Sequence, residues 1–361
     1  MNDRMTSATS LALAPREHHA MAYDRSVTVR DLLRTTGIQE YMDRKGVTEV
    51  VVNRPGEVLT EGADGWQAHD EPRTGFDKLT QLANALAIFN DDRINQNEPI
   101  KSLVLPDGQR GQIVMPPATT AGTLSLTIRI PSTIRFTIDD YIKSSRLDHF
   151  RDVSDHFTCP DDVPLLDWEK DILQMKADRD MRAFWQTVID NKLNTVLVGG
   201  TGSGKTTFTK ALADLVPCHT RIVTLEDTHE LDLPNHWNKK HLFYGKSGVT
   251  PKILIASCMR MKPDRVFLTE LRGDETWDYL SLLNTGHPGS ITTVHANDCR
   301  SAFYRIGTLI KQSPVGQTLD FNYIMREVMT TLDVIAYFSH TKMTQLYYDP
   351  VQKYRLQRGQ S

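Results

Sequence analysis

The densest chemistry in the chain lies in Gly199-Gly200-Thr201-Gly202-Ser203-Gly204-Lys205-Thr206, which satisfies the spacing G-x-x-x-x-G-K-[ST]. Glycines at these positions let the backbone wrap closely and turn its N–H groups inward, toward phosphate oxygens. A helix starting near Lys205 sets its positive dipole end beneath the anion. Lys205 is placed to reach β- and γ-phosphates, and the Thr206 hydroxyl to ligate Mg²⁺, so ATP and Mg²⁺ are the expected ligands. Thr207 follows on the first helical turn and is grouped with the nucleotide-binding residues. The motif needs a strand before it and a helix after it. Val196-Leu197-Val198 supplies the strand, and Phe208, Leu212 and Leu215 on one face supply the helix.

Two further segments end in acids. Arg265-Val266-Phe267-Leu268-Thr269-Glu270 is an apolar strand closing on a carboxylate. Such an acid sits beside Mg²⁺ in phosphate-cradle enzymes and orders its water shell. Arg221-Ile222-Val223-Thr224-Leu225 runs into Glu226-Asp227, with Glu230 three residues beyond Asp227. A carboxylate there could orient an attacking water or take its proton. Equally, Asp227 could cap a turn while Glu226 pairs with an arginine. His287 and His295 bracket the strand near Ser290 to Val294. No third ligand stands at zinc spacing. A neutral imidazole donating to a γ-phosphate oxygen, or linking the nucleotide to subunit motion, is the stronger reading of His287; a hydrogen-bonded loop histidine is the plain one.

The rest of the chain must position these groups. At about 150 residues per domain, 361 residues suggest two domains. With 39% hydrophobic and 24% charged residues, a packed core is expected and wholesale disorder is not. Lysine and arginine number 42 against 45 acids, a formal charge of -3, so bulk charge gives direct nucleic-acid binding little support. The four cysteines form no Cys-x-x-Cys pair, which fits a reducing compartment. No apolar run approaches the roughly 20 residues that span a bilayer. Residues 1–25 read as a mobile polar leader, and the expected address is the cytoplasm, with peripheral membrane contact left open.

Residues 26–145 mix the two element types and predict an α+β domain. Val47 to Asn53 is a β-branched run that stops at Arg54-Pro55-Gly56. Further strands are expected over Glu57 to Glu61, Lys101 to Leu105, Arg110 to Met115 and Thr123 to Ile130. Leu79, Leu82, Ala83, Leu86 and Phe89 share one helical face. The acidic, proline-bearing stretch 146–166 reads as a solvated linker, followed by one long helix from Trp168 to Asn191. From Asn194 short apolar strands alternate with helices through the segment near Asp298, predicting a mostly parallel sheet with both faces covered. Ligands bind such sheets at the carboxyl ends of the strands, where the polar motifs are expected to gather. The ATPase domain is drawn over residues 167–345 and a C-terminal tail over 346–361.

Taken in order, the phosphate cradle, Glu226-Asp227-Thr228-His229-Glu230-Leu231, Pro263-Asp264-Arg265 through Glu270-Leu271-Arg272-Gly273, and Thr285-Gly286-His287-Pro288-Gly289-Ser290 resemble the secretion-superfamily traffic ATPases. More narrowly the chain resembles the hexameric traffic ATPases of type IV secretion and conjugation systems. The front half joins in through Val47 to Gly56, Leu105-Pro106-Asp107-Gly108-Gln109-Arg110 and Thr127-Ile128-Arg129. The resemblance covers roughly residues 30 to 340. The absence of a four-cysteine zinc module sets the chain apart from most type II secretion and pilus-assembly ATPases, although pilus-retraction ATPases also lack it.

The resemblance implies an α/β fold with a C-terminal RecA-like P-loop domain and a ring of six subunits. It implies that amino-terminal arginines touch the nucleotide phosphates, and Arg110 and Arg129 occupy the matching positions. Arginine suits that task because its planar fork binds phosphate bidentately. Arg272, directly after Glu270, is a further candidate for charge stabilisation. Glu226 is expected to activate water and Glu270 to serve the metal side, two roles that could be exchanged. The implied work is substrate transfer or pilus assembly at the inner membrane, with other type IV secretion ATPases and inner-membrane components as partners. A pilus-motor or type II secretion ATPase, and a nucleotide-gated scaffold with little turnover, are the alternatives.

Overall fold

The computed structural model describes residues 24–62, 64–131, 135–245 and 248–360. The leader up to residue 23 therefore lies outside the described residues. Contacts divide the chain into two units, Met1–Ile130 and Pro131–Ser361.

The first unit opens with α1 (Ser26–Thr35) and α2 (Ile38–Met42). Then come β1 (Glu49–Val52), β2 (Gly56–Gly62), β3 (Gly65–Glu71), α3 (Phe76–Phe89), β4 (Ile100–Val104), β5 (Arg110–Val114) and β6 (Ser125–Arg129). The strands form one antiparallel sheet in the order β3-β2-β1-β6-β5-β4. Successive side chains on a strand point to opposite faces. Val50, Val52, Ile113, Leu126 and Ile128 accordingly pack on Val29 and Leu33 of α1 and on Leu79, Leu82 and Leu86 of α3. The same alternation turns Glu49, Arg110 and Arg129 to the other face, where each is partly buried. Arg110 and Arg129 are direct cross-strand partners, and Arg129 faces Glu49 on its other side.

The second unit begins with α4 (Ile138–Lys143), β7 (Arg151–Asp152), α5 (Asp167–Asp178) and α6 (Met181–Asp190). Its central run is β8 (Thr195–Val198), α7 (Lys205–Ala213), β9 (Ile222–Glu226), β10 (Lys239–Phe243), α8 (Pro251–Met261), β11 (Arg265–Leu268), α9 (Glu275–Asn284) and β12 (Ile291–Val294). It ends with α10 (Cys299–Gln312), α11 (Pro314–Thr318), α12 (Phe321–Thr331), β13 (Val334–Ser339), β14 (Lys342–Tyr348) and α13 (Pro350–Gln357).

Two strand sets, β10-β9-β11 and β12-β8-β13-β14-β7, build the sheet. They meet where the Leu271 N–H donates to the Thr293 carbonyl (2.9 Å) and the Thr293 hydroxyl to the Thr269 carbonyl (2.8 Å). Pairing is parallel throughout except between β13 and β14. Burial on both faces is what a parallel sheet requires. In β8, Leu197 points into a core shared with α4–α7, whereas Val196 and Val198 point into a second core shared with α8, α9, α10 and α12. The α/β reading therefore holds, with a mostly parallel sheet in the second unit.

Several boundaries differ from those read off the sequence. The division falls after Ile130 rather than near residue 145, because Ile138 and Tyr141 of α4 are buried in the core of the second unit. The stretch 146–166 is not a solvated linker: Leu147, Phe150, Val163 and Leu165 are core residues and β7 pairs with β14. The expected long helix is two. Arg179 adopts φ 63, and the Asp180 carboxylate caps α6 by accepting the Ala183 N–H at 3.0 Å. The presumed tail is structural too: Leu346 and Tyr348 close β14, Val351 of α13 is fully buried, and Lys353 pairs with Asp333.

Candidate nucleotide site

The phosphate loop joins a strand buried along its whole length to a helix whose apolar face, Phe208, Ala211 and Leu212, is fully buried. Its conformation needs glycine. Gly199 sits at φ 150, and a Cβ there would lie 2.4 Å from the Phe338 carbonyl oxygen of β13 and 2.6 Å from Ser203 Oγ. Gly204 caps α7 at φ 90, in the left-handed region that L side chains rarely adopt. The buried Lys205 ammonium donates to the Gly199 and Gly200 carbonyls, each at 2.7 Å. The Thr206 hydroxyl lies 3.4 Å from Glu230 Oε2. Spacing alone singled out Glu230 only as a neighbour of Asp227; the turn after β9 is what brings it to Thr206.

Glu226, at the end of β9, is fully buried. Its Oε2 accepts the N–H groups of Glu230 (2.8 Å) and Leu231 (2.9 Å), and its Oε1 accepts the Thr224 hydroxyl at 2.6 Å. Two imidazoles also face Oε1: His241 Nδ1 at 3.2 Å and His229 Nδ1 at 3.5 Å. Burial is the largest single influence on this carboxyl and pushes it upward. The hydrogen bonds from His241, Thr224, Leu231 and Glu230 together outweigh burial and hold it below the ordinary value. His241 carries no sequence signal beyond its place in a short β-run; the ladder between β9 and β10 puts it here.

Glu270 follows β11. Its Oε2 accepts from Arg272 Nη2 at 2.6 Å, and its Oε1 lies 3.3 Å from His295 Nε2. Burial raises this carboxyl, but the Arg272 hydrogen bond and the charges of Arg272, His295 and Lys205 outweigh it, so it sits below its usual value. Arg272 also donates to Asp227 at 2.9 Å, tying the end of β9 to the end of β11. Its guanidinium is raised further above its ordinary range, chiefly by the bond to Glu270.

His287 falls elsewhere. It precedes β12, which runs parallel to β8, so it lies at the amino edge of the sheet. The four-residue strand puts about 13 Å between that edge and the carboxyl end. There the Gly289 N–H is held by Asn194 Oδ1 at 2.9 Å. A cleft of about 420 Å³ opens at this edge, lined in part by Asn194, Gly286, Pro288 and Asp333, and the phosphate loop is not in its walls. Of the two histidines that bracket β12, the one that reaches the carboxyl-end cluster is His295. The expectation that every polar motif sits at a carboxyl end fails for the segment Thr285 to Ser290 alone. Arg110 and Arg129 stand together on one face of the first unit, as described above.

The set of groups is thus a glycine loop under a helix N-terminus, a buried lysine, and carboxylates from the end of β9, the turn after it and the end of β11. The family described as "Type II/IV secretion system protein" matches residues 166–336, the segment that carries all of them. The type IV secretion system protein VirB11 of Brucella abortus is 37% identical over 327 residues, covering 87% of this chain and 88% of that protein. The chain belongs to the VirB11 family. The crystal structure of the VirB11 ATPase from the Brucella suis type IV secretion system aligns with a TM-score of 0.52 at 37% identity, covering 92% of this chain and 98% of that one. The pilus retraction motor PilT aligns with a TM-score of 0.55 at 15% identity, covering 91% of this chain and 86% of that one, and shares the fold. Membership in the VirB11 family makes this a type IV secretion ATPase homologue. Among the described residues no helix is long and apolar enough to cross a membrane.

Proposed function

We propose that the chain hydrolyses ATP on the loop between β8 and α7 and works as a homo-hexameric motor of a bacterial type IV secretion machine. The observation that carries this reading is the juxtaposition at the loop's end: Lys205 Nζ held at 2.7 Å by two loop carbonyls, and Thr206 Oγ1 3.4 Å from the Glu230 carboxylate. Residues 199–207 bind the triphosphate, with loop N–H groups and the α7 dipole facing its oxygens. On arrival of the phosphates Lys205 exchanges its carbonyl partners for β- and γ-oxygens. The Thr206 hydroxyl and Glu270, all-oxygen donors beside a cluster of carboxylates, suit a hard cation. When bound there, Mg²⁺ would supply charge neutralisation for the triphosphate.

Glu230 orients the attacking water in this reading, in place of Glu226. The oxygens of Glu226 are already engaged by two N–H groups, a hydroxyl and two imidazoles, which suits it to holding the turn. As the water oxygen bonds to the γ-phosphorus, the bond to the β–γ bridging oxygen breaks and that oxygen leaves with ADP. Glu230 accepts the water proton. Lys205, Arg110 and Arg129 compensate charge on the phosphoryl oxygens, and Arg272 keeps Glu270 and Asp227 in place. Nucleotide-dependent engagement of the two arginines would couple turnover to domain motion. The output is substrate transfer or pilus assembly in a conjugative machine, from the cytoplasmic face of the inner membrane and alongside its other ATPases and inner-membrane components.

Lys205→Ala tests the reading directly. Phosphate release should fall at least about a hundredfold with the melting temperature unchanged. Near-wild-type hydrolysis in that variant would remove the loop from the reaction. Light scattering with and without ATP tests the six-subunit ring.

A further inference from the structure

Glu226, His229 and His241 each offer one donor atom, and these three atoms all lie within 4.8 Å of one another. The imidazole nitrogens are 3.5 and 3.2 Å from the carboxylate oxygen. A tetrahedral site with metal–ligand bonds of about 2.05 Å has ligand–ligand edges of about 3.3 Å. The two measured separations straddle that value. We propose that Glu226, His229 and His241 form a zinc site on the turn that carries Glu230.

Register builds most of it. His241 on β10 is the Cα partner of Thr224 on β9, and Glu226 lies two residues further along the same strand and face. Two of the three ligands are therefore fixed by the ladder between two parallel strands. Thr224 ties two of the ligands together: its hydroxyl donates to Glu226 Oε1 at 2.6 Å, and its oxygen lies 2.7 Å from His241 Nδ1. The outer partners are those a ligating carboxylate uses: Glu226 Oε2 is anchored by the Glu230 and Leu231 N–H groups at 2.8 and 2.9 Å.

The donor chemistry selects the ion. Two imidazoles with one carboxylate suit Zn²⁺, whereas Mg²⁺ and Ca²⁺ prefer oxygen throughout. His229 is about half exposed, with 48% of its side-chain surface accessible, which leaves an open side for a water as fourth ligand. Occupancy would fix His229, the residue next to Glu230, and so stiffen the turn facing Thr206.

The test uses the full chain, free of any affinity tag and of nucleotide, so that its outcome is independent of ATP hydrolysis. Zn²⁺ is titrated against a chromophoric chelator, and Co²⁺ is followed by its visible tetrahedral absorption. One Zn²⁺ per chain is expected, with affinity weakened at least about tenfold in His229→Ala and in His241→Gln and the Co²⁺ band lost in both. The exposed-loop variant His229→Ala keeps the test valid should His241→Gln fold poorly, and Cys218→Ser should bind as the wild type does. Absence of saturable Zn²⁺ binding, or binding unchanged in both histidine variants, overturns the proposal.

Discussion

Arg110 and Arg129 stand directly opposite each other on β5 and β6, on the face of the sheet turned away from its core. Arg129 also has a carboxylate, Glu49, as its neighbour in register on β1. In the proposed function this pair meets a phosphoryl group, an anion that two guanidiniums can share. On the proposed function, Arg110→Ala should lower ATP turnover at least about tenfold and leave the melting temperature unchanged. Kinetics matching the wild type would make this face a scaffold only. Arg129→Ala should behave alike in turnover but lose some stability, because Glu49 is left without the charge of its cross-strand partner.

Glu226 and Glu230 separate by what each substitution costs. Glu230→Gln keeps the size of the side chain beside Thr206 and should cut turnover about a hundredfold, with nucleotide still bound. Glu226→Ala leaves the buried Leu231 N–H and the Glu230 N–H without their acceptor, at roughly 1–3 kcal/mol for each such group. Chemical denaturation should show that loss for Glu226→Ala and essentially none for Glu230→Gln. If the two variants exchange these signatures, the assignment of roles is reversed.

Local patterns carried some parts of the molecule and not others. The glycine loop was legible because its conformation demands glycine at Gly199 and Gly204 and its chemistry demands Lys205, so residue type and function coincide. Helix α8, Pro251–Met261, is marked locally as well, by Pro in its first turn and the Thr250 cap before it. The boundary of the second unit was not legible. Helix α4 belongs there through Tyr141 packing edge-on against Phe208, a contact 67 residues apart that no local period records. The break between α5 and α6 hangs on a single left-handed residue, Arg179, whose type gives no warning. His287 and His295 look equivalent in sequence; the direction of β12 alone sends one to the amino edge and the other to Glu270.

Gly199 and Gly200 give a paired test of the loop. A Cβ at Gly199 would press to 2.4 Å on a backbone carbonyl of β13 that cannot withdraw without breaking the sheet, whereas one at Gly200 meets nothing within 4 Å. Gly199→Ala should lower the melting temperature by several degrees and abolish nucleotide binding. Gly200→Ala should melt as the wild type does, so any loss of affinity there reports backbone approach to phosphate rather than folding. Equal melting temperatures for the two variants would contradict the packing described between β8 and β13.

Acid should destabilise the first unit through Glu71. Arg73 donates to Glu71 Oε1 and Oε2, each at 2.7 Å, and also to Glu40 at 2.6 Å, while the Tyr41 hydroxyl adds a bond of 3.3 Å to Glu71. The Arg73 bond is the largest influence on both carboxyls and holds each below its ordinary value near 4.5. A carboxyl depressed in the folded state binds fewer protons there than in the unfolded chain, so stability falls as pH falls. The contribution is complete above about 4.5, the unfolded value, and is lost as pH drops through the folded one. Thermal melts of wild type and Glu71→Gln should therefore differ at neutral pH and converge below pH 4.5, with the variant flatter across that range. A gap independent of pH would mean that Glu71 acts through packing alone.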